Sequence, residues 1–484
     1  MKLFLKIILL ITLPAASFAQ DTIFIKSYGE TGYNYGEKVI QTADTGYIIL
    51  GNKTGFVGNS DVYLLKTNYC GNIKWDKAYG GPEVDWAEDI VRTNDKGYAI
   101  TGYMTIPAAN NNYDVMLIKT DSLGVMQWMK HYGGSDWDLG HSLVETPDSG
   151  FIIAGETFSY GHGNNDVFLI KTNKNGDSLW SKCYGGVKEE VANDISACHD
   201  GNYIISGKTN SFGIGGYDIY LLKVNPNGDT LWTRTYGDTL DDFGYSAIET
   251  FDHGLVIIGS TRNYSAVGLD GLMIKTDSIG NQLWYRTFGY GGTADEEYFD
   301  IAQNKNNGFL ITGYTSSFGA GRKDFSMILT DAGGWYQNGT TYGGGQDDYS
   351  RACIYTSDNG YAIVGTTESM GLGAANILFL KTDSMGVSNI STYTHVTGIP
   401  ETTAGAYSCF PNPVTDMLII KSPENNILRG ISLYNHLGQI VYKTDHPGKN
   451  NATIDFQNYP AGLYVLVMQM NGSIRSEKIL HITK

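Results

Sequence analysis

Six carboxylates recur at one place in this chain. Asp85, Asp138, Glu190, Asp242 and Asp348 each lie five residues after a Tyr-Gly pair, and Glu296 stands two residues late after Phe288-Gly289; Asn34 takes the place in the first copy. Gathered into a ring, such groups repel: two carboxylates about 8 Å apart at an effective dielectric near 20 cost about 2 kcal/mol. The ring would stay hydrated, take up protons or hold a cation, and calcium is the one cofactor it would admit. The alternative is that each carboxylate caps backbone N–H groups of its own copy, because a residue present in nearly every copy serves the copy, whereas a ligand site breaks the symmetry.

The breaks gather in the sixth copy. A loop lengthened by Gly291-Gly292 leads to Asp295, Glu296 and Glu297; Tyr298 stands where other copies carry a small residue, Leu329 replaces a lysine and Asn338 a tryptophan. An aromatic beside three carboxylates at a channel mouth could bind a sugar or a basic peptide group, so Asp295, Glu296, Glu297 and Tyr298 form the candidate ligand site, with drift in one copy as the alternative. Catalytic signatures are missing from the sequence. It has no Gly-rich phosphate loop, no HExxH, no Gly-x-Ser-x-Gly elbow and no clustered His and Cys, and its histidines share no spacing. Paired carboxylates for glycoside hydrolysis, assembled from different copies, stay open.

The elements that must position these residues repeat seven times. Each copy holds a glycine, alternating aliphatic residues and a second glycine, from Gly46–Gly51 to Gly360–Gly365, with successive second glycines 51 to 54 residues apart. That period fits four short strands and their turns, the blade of a β-propeller. The inner strand carries a small residue and an aliphatic one three later, such as Ala87 and Ile90. The third strand opens on Asp, and the outer strand carries Trp75, Trp128, Trp180, Trp232 and Trp284, each two residues before a Lys or Arg that guards the edge. Ile23-Phe24-Ile25 and Tyr28-Gly29 precede the first complete copy, and the last copy lacks its outer strand, so the N-terminal strand completes the last blade.

Composition agrees with an exported all-β protein. Gly is abundant at 61 residues and charged residues make up only 17%, the profile of many turns between strands. A formal charge of -16 argues against nucleic acid as a partner, since phosphate binding needs a basic face. Lys2 and Lys6, an apolar run from Ile7 to Leu13 and Ser17-Phe18-Ala19 read as a signal peptide over 1–19, cut between Ala19 and Gln20. No other stretch is long and apolar enough for a transmembrane helix. The five cysteines are odd in number and non-equivalent in position, which suits buried thiols.

The copies stop near Ile390, and 391–406 has the polar look of a linker. Beyond it lie Phe410-Pro411-Asn412-Pro413, Ile431 to Asn435, Gly438 to Val441, Ile454 to Phe456, Pro460 to Val467 and Lys478 to Leu480, the spacing of a small antiparallel β domain. Residues 407–484 closely resemble the type A C-terminal sorting domain of the type IX secretion system of Bacteroidota. Pro411, Asn412 and Pro413, the Leu433-Tyr434-Asn435 turn with Gly438, and Gly462 with Tyr464 match its pattern in order. The resemblance implies Sec export, transfer across the outer membrane by the type IX machinery, and a cut in 391–406 with release or attachment to surface lipopolysaccharide. Asp-Ser/Thr-aliphatic triplets such as Asp121-Ser122-Leu123 look like the O-glycosylation motif of that phylum, although turns favour Asp and Ser in any case.

The expected fold is therefore all-β: a seven-bladed β-propeller over 20–390 and a small immunoglobulin-like β-sandwich over 407–484. The expected protein is a secreted or surface-attached monomer that binds a glycan or protein ligand, an adhesion or interaction module. A glycan-active hydrolase or lyase working at the channel mouth, and a structural surface-layer component, are the alternatives.

Overall fold

A computed structural model of the chain describes residues 23–54, 60–107, 112–262, 268–289, 293–388, 394–396, 408–410, 414–421, 428–435, 440–445, 451–460, 462–470 and 473–481. Ala19, Gln20, Gly291, Gly292, Pro411, Asn412, Pro413 and Gly438 lie outside them, as does most of 391–406. The chain divides into two compact units, Met1–Gly398 and Ile399–Lys484. Among the described residues there is no α-helix.

In the first unit, repeated four-stranded antiparallel sheets give the architecture of a β-propeller. The second copy shows the pattern: Asp85–Arg92 pairs with Tyr98–Ile106, which pairs with Asn112–Thr120, which pairs with Met126–Tyr132. Five further sheets of the described residues repeat that order. In a seventh, Phe24–Tyr28 pairs antiparallel with Asn376–Thr382, as its place before the first copy predicts. Thr394–Val396, inside the expected linker, adds to Phe24–Tyr28 as a parallel fifth strand.

Burial follows from position in the sheet. Third strands such as Asp166–Thr172 are covered throughout and read as near-continuous apolar runs, whereas the outer strand Ser178–Tyr184 is an edge with exposed positions. Consecutive sheets are joined at their outer strands. The hydroxyls of Tyr79, Tyr132 and Tyr236 donate to the carbonyls of Gly124, Gly176 and Gly280 in the next sheet, at 2.6, 2.6 and 2.7 Å. Tyr28 makes the same bond to Gly71 at 2.7 Å, which ties the last sheet to the first. Each repeated tryptophan lies against the same turn: Gly124, Gly176 and Gly334 sit over the rings of Trp75, Trp128 and Trp284. Buried lysines of the third strands pair with the turn between the first two strands, as in Lys223–Asp200 and Lys275–Asp252, both 2.7 Å. The sixth copy has lost both partners together, with Leu329 and Asn306 in their places. Cys183, Cys198 and Cys353 are thiols outside any disulfide.

The second unit has two antiparallel sheets. One joins Ser408–Phe410, Met417–Lys421 and Asn451–Asp455; the other orders Ile440–Asp445, Leu428–Tyr434, Gly462–Met470 and Ser473–His481. They share one apolar core that includes Leu418, Ile431, Phe456 and Leu466. Tyr464, one of the sorting-motif residues, packs against Phe456 and donates its hydroxyl to the Pro460 carbonyl at 2.7 Å.

Candidate functional site

The six recurring carboxylates do not converge. Asp85, Asp138, Glu190 and Asp348 are buried, and each accepts the loop N–H four residues before it, from Gly81, Gly134, Gly186 and Gly344 at 2.6 to 2.9 Å. Asp242 takes the same bond from Asp238 at 3.0 Å. Among the described residues no three acidic, His or Cys side chains come together as a metal site. The column caps loops, and its other neighbour is the Asp that opens the third strand of the preceding sheet. Burial, and then the facing Asp242, push Asp218 up to about 6.

The sixth-copy residues are also separated by the alternation of a strand. Asp295 accepts the N–H of Leu269 at 2.9 Å and holds a loop. Glu297 points to the inner face, where the hydroxyls of Tyr245 and Tyr314 donate to it at 2.5 Å each. Glu296 and Tyr298 turn the other way, between sheets, and Tyr298 is a core residue at 2% exposure. It fills the space left by Gly271, where a Cβ would lie 2.2 Å from its ring. Other sheets place Val or Ile against a small residue at this contact, as Val115 against Gly140.

A different column breaks the symmetry. Every inner strand carries one β-bulge at the same step, between Gly36 and Lys38, Ala87 and Asp89, Gly140 and Ser142, Ala192 and Asp194, Gly244 and Ser246, Tyr298 and Asp300, and Ser350 and Ala352. A bulge re-aims the extra residue. Here the extra residues are Glu37, Glu88, His141, Asn193, Tyr245, Phe299 and Arg351, and all seven line one cavity of about 280 Å³ between the inner strands. Backbone geometry is repeated seven times while the chemistry differs almost at each step.

The next residue of each strand forms a second ring. Ser142 Oγ donates to Asp89 and Asp194 at 2.8 and 3.1 Å, and Ser246 Oγ donates to Asp194 and Asp300 at 3.0 and 3.4 Å. Lys38 Nζ stands 3.5 Å from Asp300 and is the cation of this ring. Desolvation opposes its charge, yet Asp300, Asp89 and Asp194 hold its ammonium well above the usual lysine range. Burial raises Asp89 and Asp194, against the pull of Lys38.

Glu37 is the group poised near neutrality. Burial pushes it up to about 7, opposed by Arg351 and reinforced by Glu88. Arg351 Nε lies 3.6 Å from its carboxylate, and Asn52 Nδ2 donates to it at 3.2 Å. Burial also raises Glu88. His141 is raised despite its burial because Glu156 faces it at 3.4 Å. Aromatic rings complete the wall: Tyr245 lies 5.0 Å from Phe299, and the Arg351 guanidinium covers Phe299 at 5.2 Å. A second cavity of about 430 Å³ shares His141, Asn193 and Tyr245 and opens past Phe158 and Lys208. One carboxyl that can give or take a proton near pH 7, a second raised by burial, a guanidinium, an amide and aromatic faces together suit a polar ligand with apolar faces.

The sign of the Glu37 shift gives a test. In the unfolded chain this carboxyl ionises near 4.5, in the fold near 7, so its contribution to stability is full below about pH 4.5 and is lost as pH rises through about 7. Glu37→Gln should therefore gain stability over the native chain between pH 4 and pH 8, by about 3 kcal/mol at about 1.4 kcal/mol per pH unit. Urea denaturation at the two pH values measures it.

Four aromatics on the loops between second and third strands, Phe158, Tyr160, Phe212 and Phe318, are exposed. Phe56 and Tyr264 lie outside the described residues. Tyr160 and Phe212 rest on Phe168 and Tyr220 of their own sheets, at 5.7 and 5.9 Å.

Residues 408–482 match the family described as the secretion system C-terminal sorting domain. The chain is exported, and it is secreted or attached at the cell surface. Sorting by this domain implies handling by the type IX machinery. The chain is 27% identical over 180 residues to the regulatory protein FlaEY of Caulobacter vibrioides, taking in 32% of this chain and 19% of that one. The chain thus spans about a fifth of the curated relative it matches. Among solved structures it is similar to the WD40 domain of Neurospora crassa Pan2, with 10% identity, a TM-score of 0.44, and 72% of this chain and 89% of that one covered. It is also similar to the β-propeller domain of the Trilobed protease from Pyrococcus furiosus, with 9% identity, a TM-score of 0.41, and 73% and 94% covered. A protein of unknown function from Dyadobacter fermentans gives 11%, 0.43, 75% and 98%.

Proposed function

We propose that the chain is a secreted or cell-surface binding module: a closed seven-bladed propeller that holds a glycan or protein ligand in its central channel. The signal peptide 1–19 and the linker 391–406 are its processing sites, and the sorting domain is an immunoglobulin-like sandwich. The observation that carries the binding reading is the bulge column, where one backbone position repeated in seven sheets presents Glu37, Glu88, His141, Asn193, Tyr245, Phe299 and Arg351 to one cavity. Positions that serve the fold, such as the loop-capping acids and the turn-bonding tyrosines, keep their chemistry from copy to copy; positions that serve a ligand have no reason to.

A second reading is a glycan-active hydrolase or lyase in the same channel. The position of Glu37 near 7 beside a second raised carboxyl favours it, because a general acid works best near its operating pH. A glycan and matrix-protein array with the exported chain, run with calcium and with chelator and scored for binding and cleavage together, separates the readings. Binding without cleavage that survives chelation is the expected result. Cleavage would replace the binding reading by the hydrolase one, and silence in every well would leave a structural surface role.

A further inference from the structure

The contact between the fifth and sixth sheets holds a third cavity, of about 490 Å³, separate from the channel. Its origin is local. The residue opposite the second motif glycine is Tyr63, Met116, Phe168, Tyr220, Leu272 and Leu378 in the other copies, and Ser326 in the sixth. The outer strand of the same sheet runs Asn338-Gly339-Thr340 where the first five copies carry Trp, a further side chain and a Lys or Arg. Space is therefore vacated at two neighbouring positions of one sheet, and Tyr298 does not refill it, since its ring is taken up by Gly271.

The cavity is built with one charge. Glu296, 2% exposed, lines it, and its Oε1 accepts from Thr315 Oγ1 at 2.8 Å. Among the described residues its Oε2 has no partner; in five other copies the equivalent oxygen takes a loop N–H, and the loop at that place in the sixth copy, 290–292, lies outside the described residues. Oδ1 of the neighbouring Asp270, itself buried, is likewise without a partner. A buried carboxylate oxygen left without a donor is costly, so the site favours any ligand that brings one. The rest of the lining mixes apolar and aromatic side chains, among them Phe288, Tyr298, Met327, Ile328 and Tyr336, with several threonines. Tyr298 and Ser326 hydroxyls, 3.3 Å apart, add one further polar point.

We propose that this cavity binds a small organic cation, its ammonium group donating to Glu296 Oε2 beside Asp270 and its apolar body lying along Phe288, Tyr298 and Tyr336. A bare divalent metal is disfavoured by the same lining, because calcium takes six to eight oxygens and no three acidic, His or Cys side chains cluster among the described residues.

Isothermal titration of the full chain with phenethylamine tests this, with 2-phenylethanol as the neutral counterpart and calcium chloride as competitor. Saturable binding of the amine is expected, at least tenfold tighter than the alcohol and unmoved by calcium. Glu296→Gln should weaken the amine at least tenfold. Ser326→Phe, which restores the bulk of Phe168 in the third sheet, should abolish binding, and the melting curve of each variant reports its folding. No binding to the native chain, equal affinity for amine and alcohol, displacement by calcium, or undiminished binding by a folded Ser326→Phe variant would each overturn the proposal.

Discussion

Lys38→Met is expected to destabilise the chain by about 3 kcal/mol at pH 7, at the low end of the range for breaking a buried ion pair. The low end applies because the lysine side chain keeps 30% of its exposure. Lys38 faces Asp89, Asp194 and Asp300 across the channel, and Ser142 and Ser246 bond those carboxylates into one network, so its loss leaves three charges with no cation among them. The sign with pH follows. Asp89 and Asp194 already titrate above their ordinary range in the fold, and without Lys38 they rise further. The deficit of the variant should be largest at pH 7 and above, and should shrink as pH falls and those carboxyls take up protons. Urea denaturation of native, Lys38→Met and Lys38→Arg chains at pH 5 and pH 7.5 checks it; the arginine variant, which keeps the charge, should lose much less.

The exchange of bulk between Gly271 and Tyr298 gives the second large effect. Tyr298→Ala opens a cavity in the core and should cost about 3 to 5 kcal/mol. Gly271→Val alone puts a Cβ 2.2 Å from the Tyr298 ring and should cost about 1 to 3 kcal/mol or more by overpacking. Together the two changes recreate the Val167 and Ala192 contact of the third and fourth sheets, and the double variant should be more stable than either single one. The coupling, about 2 kcal/mol or more, is read from the double-mutant cycle in chemical denaturation. Additive losses would mean that the fifth and sixth sheets do not meet through this pair.

What was legible in the sequence is what every copy must repeat. The motif glycines, the Tyr-Gly ends, the turn glycines over the tryptophans and the closing strand Phe24–Tyr28 each recur because one backbone contact recurs, and periodicity displays such columns. The loop-capping role of Asp85, Asp138, Glu190, Asp242 and Asp348 belongs with them. The channel residues were hidden for the opposite reason: Glu37, Glu88, His141, Asn193, Tyr245, Phe299 and Arg351 share a backbone position but no chemistry, so no column marks them. A trace of the bulge was nevertheless present. Ala87 and Ile90 are three residues apart and both buried, which the two-residue alternation of a regular strand forbids. One residue between them had to be extra, and it is Glu88. In the sixth copy Tyr298 was visible as a break, but its meaning lay in Gly271, a residue of the preceding copy that only the packing of two sheets brings to it. Ser326 escaped notice because a serine in a strand carries no signal until the space beside it is seen.

The central claim is that the bulge column is the ligand site. Its most direct test is the affinity of the strongest array ligand for the native chain, for Glu88→Gln with Phe299→Ala in the channel, and for Leu179→Ser with Leu231→Ser on exposed outer strands. The channel pair should weaken binding at least thirtyfold and the outer pair less than twofold. Undiminished affinity in a folded channel variant, or a loss confined to the outer pair, would contradict it.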